Sequence, residues 1–378
     1  MIYLDYSATT PVNNDVLDTF NKVSLNYIGN ANSFHKLGLD SKKLLDEATN
    51  QIGTILKIDS KEIIYTSGAT ESNNLAIKGI CSFYNNRGNH IITTKLEHSS
   101  VIEPIKYLEK KGFLVSYVNL LPNGMIDINH LKSLITKDTL LVSINHVNSE
   151  LGIKQPVEEI GQILKAKKTI IFHVDGTQAL GKINIDLANI DLYSFSAHKF
   201  YGLKGIGCLI KKRNIKMEPL FHGGRSINEY RSGTPMLPLV VSMAKALRLV
   251  CNDVENNYKY ILNLNQKIKK NLMKYKNIDI NSNDECLPHI LNISIKGIKP
   301  ETFIRAMEKH NIYISTKSAC SNLDQASAAL LALNKDALNA SSSIRISLSH
   351  LTTNKEIESF LTFFDKEYNE LKFIEKEQ

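Results

Sequence analysis

Between about residues 60 and 210, short apolar runs rich in β-branched residues alternate with stretches of helical periodicity. Residues 62–66 read as a strand followed by a helix over about 71–86, and residues 89–93 as a strand followed by a helix over about 99–111. Further strands are predicted at 113–118, 139–147, 169–175, 192–196 and 206–210. This rhythm predicts βαβ units, and so a mostly parallel sheet covered on both faces by helices. In such sheets ligands sit beyond the carboxyl ends of the strands.

The rhythm changes around residues 237–250, where Pro235 and Pro238 precede a long helical pattern that runs on through about 275. Strands are predicted at 289–295, 311–316 and 343–348. The chain closes on an amphipathic helix in which Ile357, Phe360, Leu361, Phe364, Tyr368 and Leu371 recur at helical spacing. These segments predict a second, smaller α/β domain. The large domain is read as 14–248, and the small domain as 1–13 with 249–378.

Composition narrows the class. At 378 residues, with 43% apolar and 22% charged positions, the chain is long enough for a sizeable core and too apolar for wholesale disorder. No run approaches the ~18 apolar residues of a membrane span, and the first residues lack a signal-peptide pattern, so a cytoplasmic protein without membrane contact is expected. The charge of +8 comes from mostly scattered lysines, which read as solvated charges. One cluster, Lys267, Lys269, Lys270, Lys274 and Lys276, lies on the polar side of a helical pattern; a solvated helix face accounts for it, and direct nucleic-acid binding is not expected. The five cysteines are odd in number and form no CxxC pair, which argues against a disulfide framework and against a metal site. A cysteine that matters here should matter as a single reactive thiol.

Three segments carry candidate chemistry. Thr66, Ser67, Gly68, Ala69 and Thr70 close a strand and open a helix, leaving backbone N–H groups, a hydroxyl and the positive end of the helix dipole available to a phosphate; alone, such a turn is equally a cap. Asp175 stands at the end of a buried strand, where an acid also caps turns. Lys199 follows Ser196, Ala197 and His198 at another strand end, among aromatic and small residues that partly desolvate its amine and suit it to Schiff-base chemistry. Together they form the set that pyridoxal 5′-phosphate (PLP) requires: a phosphate anchor, a partner for the pyridinium nitrogen and a covalent lysine.

With these residues in place the chain resembles the cysteine desulfurases of the fold type I, class V aminotransferase group. The match runs in order through 3–11, 66–74, Glu97-His98, 173–178, 194–207, 231–234, 318–320 and 343–347. The resemblance implies an α/β fold type I PLP-dependent transferase. It implies that Lys199 holds the cofactor, Asp175 pairs with the ring nitrogen, His98 stacks on the ring and Gln178 hydrogen-bonds the ring oxygen. Ala69, Thr70, Ser196 and His198 would bind the phosphate, with Thr234 reaching the phosphate of a neighbouring subunit in a homodimer. Arg345 would take the substrate α-carboxylate with Asn30 nearby, and Cys320, on the small domain's loop, would receive sulfur from L-cysteine as a persulfide. A sulfur-acceptor protein, a scaffold or tRNA-thiolation enzyme, is then the expected partner.

The sequence departs from the family pattern at several places. Ser149 stands where Asn is usual, and a shorter hydroxyl there loses a contact or passes it to Asn148. Lys317 replaces a common Gly before Ser318, Ala319 and Cys320; the Pro usual after Asn30 is missing, and Pro235 and Met236 follow Thr234. These departures keep two alternatives open: a selenocysteine lyase-like PLP enzyme, in which Cys320 is less essential, and a catalytically weak PLP-binding scaffold.

Overall fold

The computed structural model describes residues 1–167, 169–224, 226–316 and 326–376. Among the described residues twelve strands run in chain order as β1 (Ile2–Tyr3), β2 (Ile63–Thr66), β3 (His90–Thr93), β4 (Leu114–Tyr117), β5 (Thr139–Asn145), β6 (Ile171–Asp175), β7 (Leu192–Ser196), β8 (Gly207–Lys211), β9 (Ile278–Ile280), β10 (Ile290–Ile295), β11 (Ile312–Tyr313) and β12 (Ser343–Ser347). The α-helices among the described residues are α1 (Asn14–Asn26), α2 (Lys36–Leu56), α3 (Ala69–Phe83), α4 (Ser99–Glu109), α5 (Ile128–Leu134), α6 (Val157–Lys165), α7 (Leu237–Cys251), α8 (Val254–Leu272), α9 (Pro300–Glu308), α10 (Ala328–Ala332), α11 (Ala337–Ser341) and α12 (Asn354–Lys376). The fold is α/β, as expected from the alternation.

Seven strands form the central sheet in the order β2-β8-β7-β6-β5-β3-β4. Pairing is parallel from β7 through β6, β5 and β3 to β4, while β8 runs antiparallel to both β7 and β2. Side chains alternate between faces. One face presents Val142, Ile144, Phe172, Val174, Tyr193 and Phe195 to a core shared with α7. The other presents Leu141, Ile171, Leu192 and Leu209 to α3 and α4.

That second face changes character along the strands. After Leu141, Ile171 and Leu192 come Ser143, His173 and Ser194, and then, at the strand ends, Asn145, Asp175 and Ser196. His173 is fully buried, yet both ring nitrogens find hydroxyls: Nδ1 is 2.8 Å from Ser143 Oγ and Nε2 is 3.0 Å from Ser194 Oγ. A buried polar row is stable only when satisfied in this way. The sheet is thus dry at one end and polar where the site lies.

The second sheet is antiparallel, in the order β12-β10-β9. Its core combines Leu4 with Ile261, Leu291, Phe303, Ile346, Phe360 and Phe364, so the first residues of the chain pack with its C-terminal part. Strand β1 pairs in parallel with β11, and Leu4 O accepts from Ser347 N at 2.7 Å.

Three sequence expectations need correction. The pattern over 237–275 is two helices, broken at Asn252 and Asp253, residues that favour caps over helix interiors; Asp253 Oδ1 accepts from Asn256 Nδ2 at 2.6 Å. The run over 311–316 is a strand only at Ile312–Tyr313, because the partner strand β1 is two residues long. The lysine cluster is also less solvated than expected. The Lys269 side chain is largely buried and pairs with Asp284 at 2.9 Å, while Lys267 and Lys274 pair with Glu358 and Asp365.

Candidate active site

A cavity of about 680 Å³ opens at the carboxyl ends of the parallel strands. Its walls come from the N-terminal segment 7–9, the start of α3, the residues after β3, β5, β6 and β7, and Arg345 of β12.

One end of the cavity is the N-terminus of α3. Gly68, at the N-cap, offers no side-chain cap, so the first amides of a fifteen-residue helix face the cavity at Ala69 and Thr70. The approach of β8 to this turn depends on Gly207, where a Cβ would lie 2.6 Å from the Gly68 Cα. Glu71 is held away from the cradle: its Oε2 accepts from Ser67 N at 2.7 Å and its Oε1 from Arg231 Nε at 3.0 Å. Ser196 and His198 flank the same end; His198 Nδ1 is 3.1 Å from Thr9 Oγ1. Burial, with Lys199, Lys204 and Lys182 nearby, pulls the His198 imidazole down to about 4, so it is neutral at pH 7.

The middle is set by Asp175. Its Oδ2 accepts from Asn73 Nδ2 at 2.8 Å and its Oδ1 from Thr177 N at 3.0 Å, which aim the carboxylate from the end of β6 into the cavity. His98, the N-cap of α4, accepts from Ser100 N at 3.1 Å through Nδ1, which places its proton on Nε2. Burial holds this imidazole below its ordinary value against the opposing pull of Asp175, with Lys199 adding to the depression. Thr177 Oγ1 is buried at the cavity wall with no hydrogen-bond partner among the described residues.

Opposite lies Lys199, in the short 3-10 turn after β7. Its Nζ donates to Ser7 O at 2.6 Å and Ala8 O at 2.9 Å. Gln178 Nε2 donates to the same Ser7 carbonyl at 2.9 Å. Arg345 is 1% exposed; its Nη2 is 2.8 Å from Asp5 Oδ1, its Nη1 is 3.0 Å from Ser149 O, and its Nε has no partner among the described residues.

The cavity therefore gathers Ala69, Thr70, His98, Asp175, Gln178, Ser196, His198, Lys199, Ser149 and Arg345. It does not gather three others. Asn148 spends its amide on the local turn, with Nδ2 donating to Leu96 O and Oδ1 accepting from Glu150 N and Leu151 N. Asn30 is exposed and accepts from Asn32 N at 3.0 Å, and Thr234 is exposed outside the cavity. Cys320 and Lys317 lie outside the described residues. The other thiols sit in packing positions: burial raises Cys81 and Cys208 well above the ordinary thiol range and lifts Cys251 and Cys286 to about 11.

Several cavity residues were not singled out from sequence. Asn145, at the end of β5, is one that the strand-end rule alone identifies. Its Nδ2 donates to Leu96 O at 2.8 Å and its backbone N–H to Glu97 Oε1 at 3.0 Å. Burial pushes the Glu97 carboxyl up to about 8, so it is protonated at neutral pH. Ser7, Ala8 and Thr9 lie in the matched segment 3–11 but carry no assigned role there; Ser7 and Ala8 bring the backbone carbonyls that receive Lys199 Nζ.

This donor set fits PLP: uncapped helix amides for a phosphate, an aimed carboxylate for a ring N–H, an imidazole beside it, a cavity-facing amine and an orphaned hydroxyl. Among the described residues no cluster of His, Cys, Asp or Glu has the makings of a metal site, and no helix is long and apolar enough to cross a membrane.

Comparison with known proteins agrees with the geometry. The model of the class V aminotransferase family matches residues 2–360. A cysteine desulfurase IscS of Buchnera aphidicola subsp. Baizongia pistaciae is 43% identical, over 98% of this chain and 93% of that protein. Among solved structures, a NifS-like protein superposes with a TM-score of 0.91 at 34% identity, over 98% of this chain and 99% of the other. A structure described as SspA in complex with cysteine superposes with a TM-score of 0.82 at 31% identity, over 93% and 100%.

Proposed function

The chain belongs to the class V aminotransferase family and, within it, to the cysteine desulfurases, and from that premise we propose that it converts L-cysteine to L-alanine and passes the sulfur through a persulfide on Cys320 to an acceptor protein. The observation that carries this reading is the convergence of Lys199, Asp175, the uncapped start of α3 and Arg345 on one cavity. PLP would be held by Lys199, Asp175, His98, Gln178 and the Ala69, Thr70, Ser196 and His198 cradle, and when bound it supplies an electron sink for the charge left at the substrate Cα.

The residues then divide the work. Arg345, already fixed by Asp5 and Ser149 O, has an unpartnered Nε with which to take the substrate α-carboxylate. Lys199 is placed to take the Cα proton, its Nζ reaching the cavity from the turn after β7. The Asp175 carboxylate, buried and aimed by Asn73 and Thr177 N at the polar strand ends, would hold the ring N–H. The Cys320 thiolate attacks the substrate sulfur: an S–S bond forms, the Cβ–S bond breaks with its electron pair going to carbon, and protonation of that carbon yields alanine. Cysteine plus a thiol thus becomes alanine plus a persulfide, with no external oxidant.

The acceptor is expected to serve iron–sulfur assembly or tRNA and cofactor thiolation, in the cytoplasm, where thiols stay reduced. A homodimer belongs to the same reading. Phe34 is 95% exposed, Ile28 77% and Leu25 78%, an apolar rim that a second copy would cover. Asn32 Nδ2 ties this rim to Ser226 Oγ at 3.0 Å, close in sequence to exposed Thr234.

The test is alanine formation from L-cysteine and a reductant by the PLP-loaded protein beside Cys320→Ser. Alanine from the wild type alone is the expected outcome. Alanine from both would favour a lyase that does not need Cys320, and alanine from neither a scaffold.

A further inference from the structure

Behind Gln178, on the side away from the cavity, lies a lysine with no role so far. Lys182 is 9% exposed, and its Nζ is 2.6 Å from Gln178 Oε1. Among the described residues it makes no ion pair. The charged and titratable groups that interact with it are Lys199, Arg345, His289 and His198, none of them an acid. Its backbone is fixed by the coil before it: Lys182 N donates to Ala179 O at 3.0 Å, and Gly181 has a φ of 76° with a would-be Cβ only 2.7 Å from Val250 Cγ1. The side chain thus enters the interior from a rigid turn and ends on one acceptor.

An ammonium buried among cations costs stability that a methionine of similar length would not, so packing does not account for a lysine here. What it does supply is a donor that cannot accept. An amide has two ends of nearly equal size, and only its partners decide which faces where. With Nζ donating to Oε1, the Gln178 amide must turn its NH₂ toward Ser7 O and the cavity. Ser7 O is also the acceptor for Lys199 Nζ, at 2.6 Å. Lys182, Gln178, the Ser7 carbonyl and Lys199 therefore form one hydrogen-bonded chain.

We infer that Lys182 is a positioning residue that fixes the Gln178 amide with its NH₂ toward the cofactor's ring oxygen, and through it tunes the proton on the Lys199 nitrogen. This rests on the proposed function. A donor at that ring oxygen competes with the Lys199 proton. Burial, Lys199 and Arg345 pull Lys182 itself down to about 7, so its hold on the Gln178 amide is complete below that pH and weakens above it, where the neutral amine can also accept.

The experiment is a pH titration of the visible cofactor band in PLP-loaded wild type, Lys182→Met, Gln178→Leu and the double variant, with melting temperatures recorded alongside. Lys182→Met should melt no lower than wild type and shift the midpoint upward by about one pH unit. The double variant should shift hardly further than Gln178→Leu alone, because both changes break the same contact. Should the methionine variant not fold, Lys182→Gln carries the same comparison. A wild-type midpoint in Lys182→Met, or shifts that simply add, would overturn the inference while leaving the function standing. A wild type with no visible band would overturn both.

Discussion

The two sheets meet the cavity in opposite ways. The seven-stranded sheet ends there, so Asp175, Ser196 and Lys199 sit at or just past strand termini, where side chains point into open space. The three-stranded sheet passes the cavity sideways. Arg345 comes from the middle of β12, opposite Asn292, and is nearly without exposure. Strand ends offer several directed groups at once and suit a cofactor with many recognition points. A mid-strand arginine, braced by Asp5 of the N-terminal segment and Ser149 O of the loop after β5, offers one rigid fork and suits one carboxylate. Cofactor capture is thus local to one sheet, while substrate recognition spans the seam between two.

The largest expected effect tests the first half of that division. Lys199→Ala should remove the visible band of the covalently held cofactor and cut alanine formation by about 10³-fold or more, because one amine both anchors the cofactor and moves the proton. A normal band in this variant would place the covalent lysine elsewhere and dissolve the contrast. A smaller effect tests the second half. Arg345→Lys keeps the charge beside Asp5 but loses the planar fork, so KM for cysteine should rise about tenfold with the band unchanged. A shifted band with unchanged KM would mean that Arg345 serves the cofactor seat, and the two sheets would no longer divide the work.

The same contrast governs what the sequence reveals. The strand-end residues of the large sheet are legible because each is punctuated locally: Gly68 before a helix, Asp175 before Gly176, His198 and Lys199 after a run ending in Ser196. The buried polar row is not. Ser143, His173 and Ser194 lie inside runs that read as apolar, and only pairing of the three strands shows that they satisfy one another. Lys182 fails the same test for the opposite reason, since a lysine after a loop glycine reads as solvated until the fold closes over it. Lys269 reads as part of a solvated stripe, yet Asp284 and Asn283 O draw its amine inward. Asn148 and Ser149 are adjacent in the chain, but one is consumed by its turn while the other lines the cavity. That choice belongs to the backbone path after β5, which depends on Gly152 at a φ of 76°.

Buried imidazoles give the smallest effect and separate the two regions by stability. His146 and His173, next to and within the large sheet, are pulled down by burial to about 4, and His289, ahead of β10, well below its ordinary value. A folded-state pKa below the unfolded value means that the unfolded chain takes up protons first as pH falls. The stability these rings contribute is whole above about pH 6.5 and drains between about 6.5 and 4, at up to about 1.4 kcal/mol per pH unit for each ring. The melting temperature should therefore fall steadily from pH 6.5 to 4.5, and His289→Leu should make the slope shallower without abolishing it, since His146, His173 and His198 keep contributing. A curve that stays level to pH 5 would mean that the rings are charged in the folded state. The Ser143, His173 and Ser194 row could not then be the neutral, satisfied ladder on which the cofactor end of the large sheet rests, because a protonated ring there would need an acceptor at both nitrogens and a counterion on a face that supplies only Asp175.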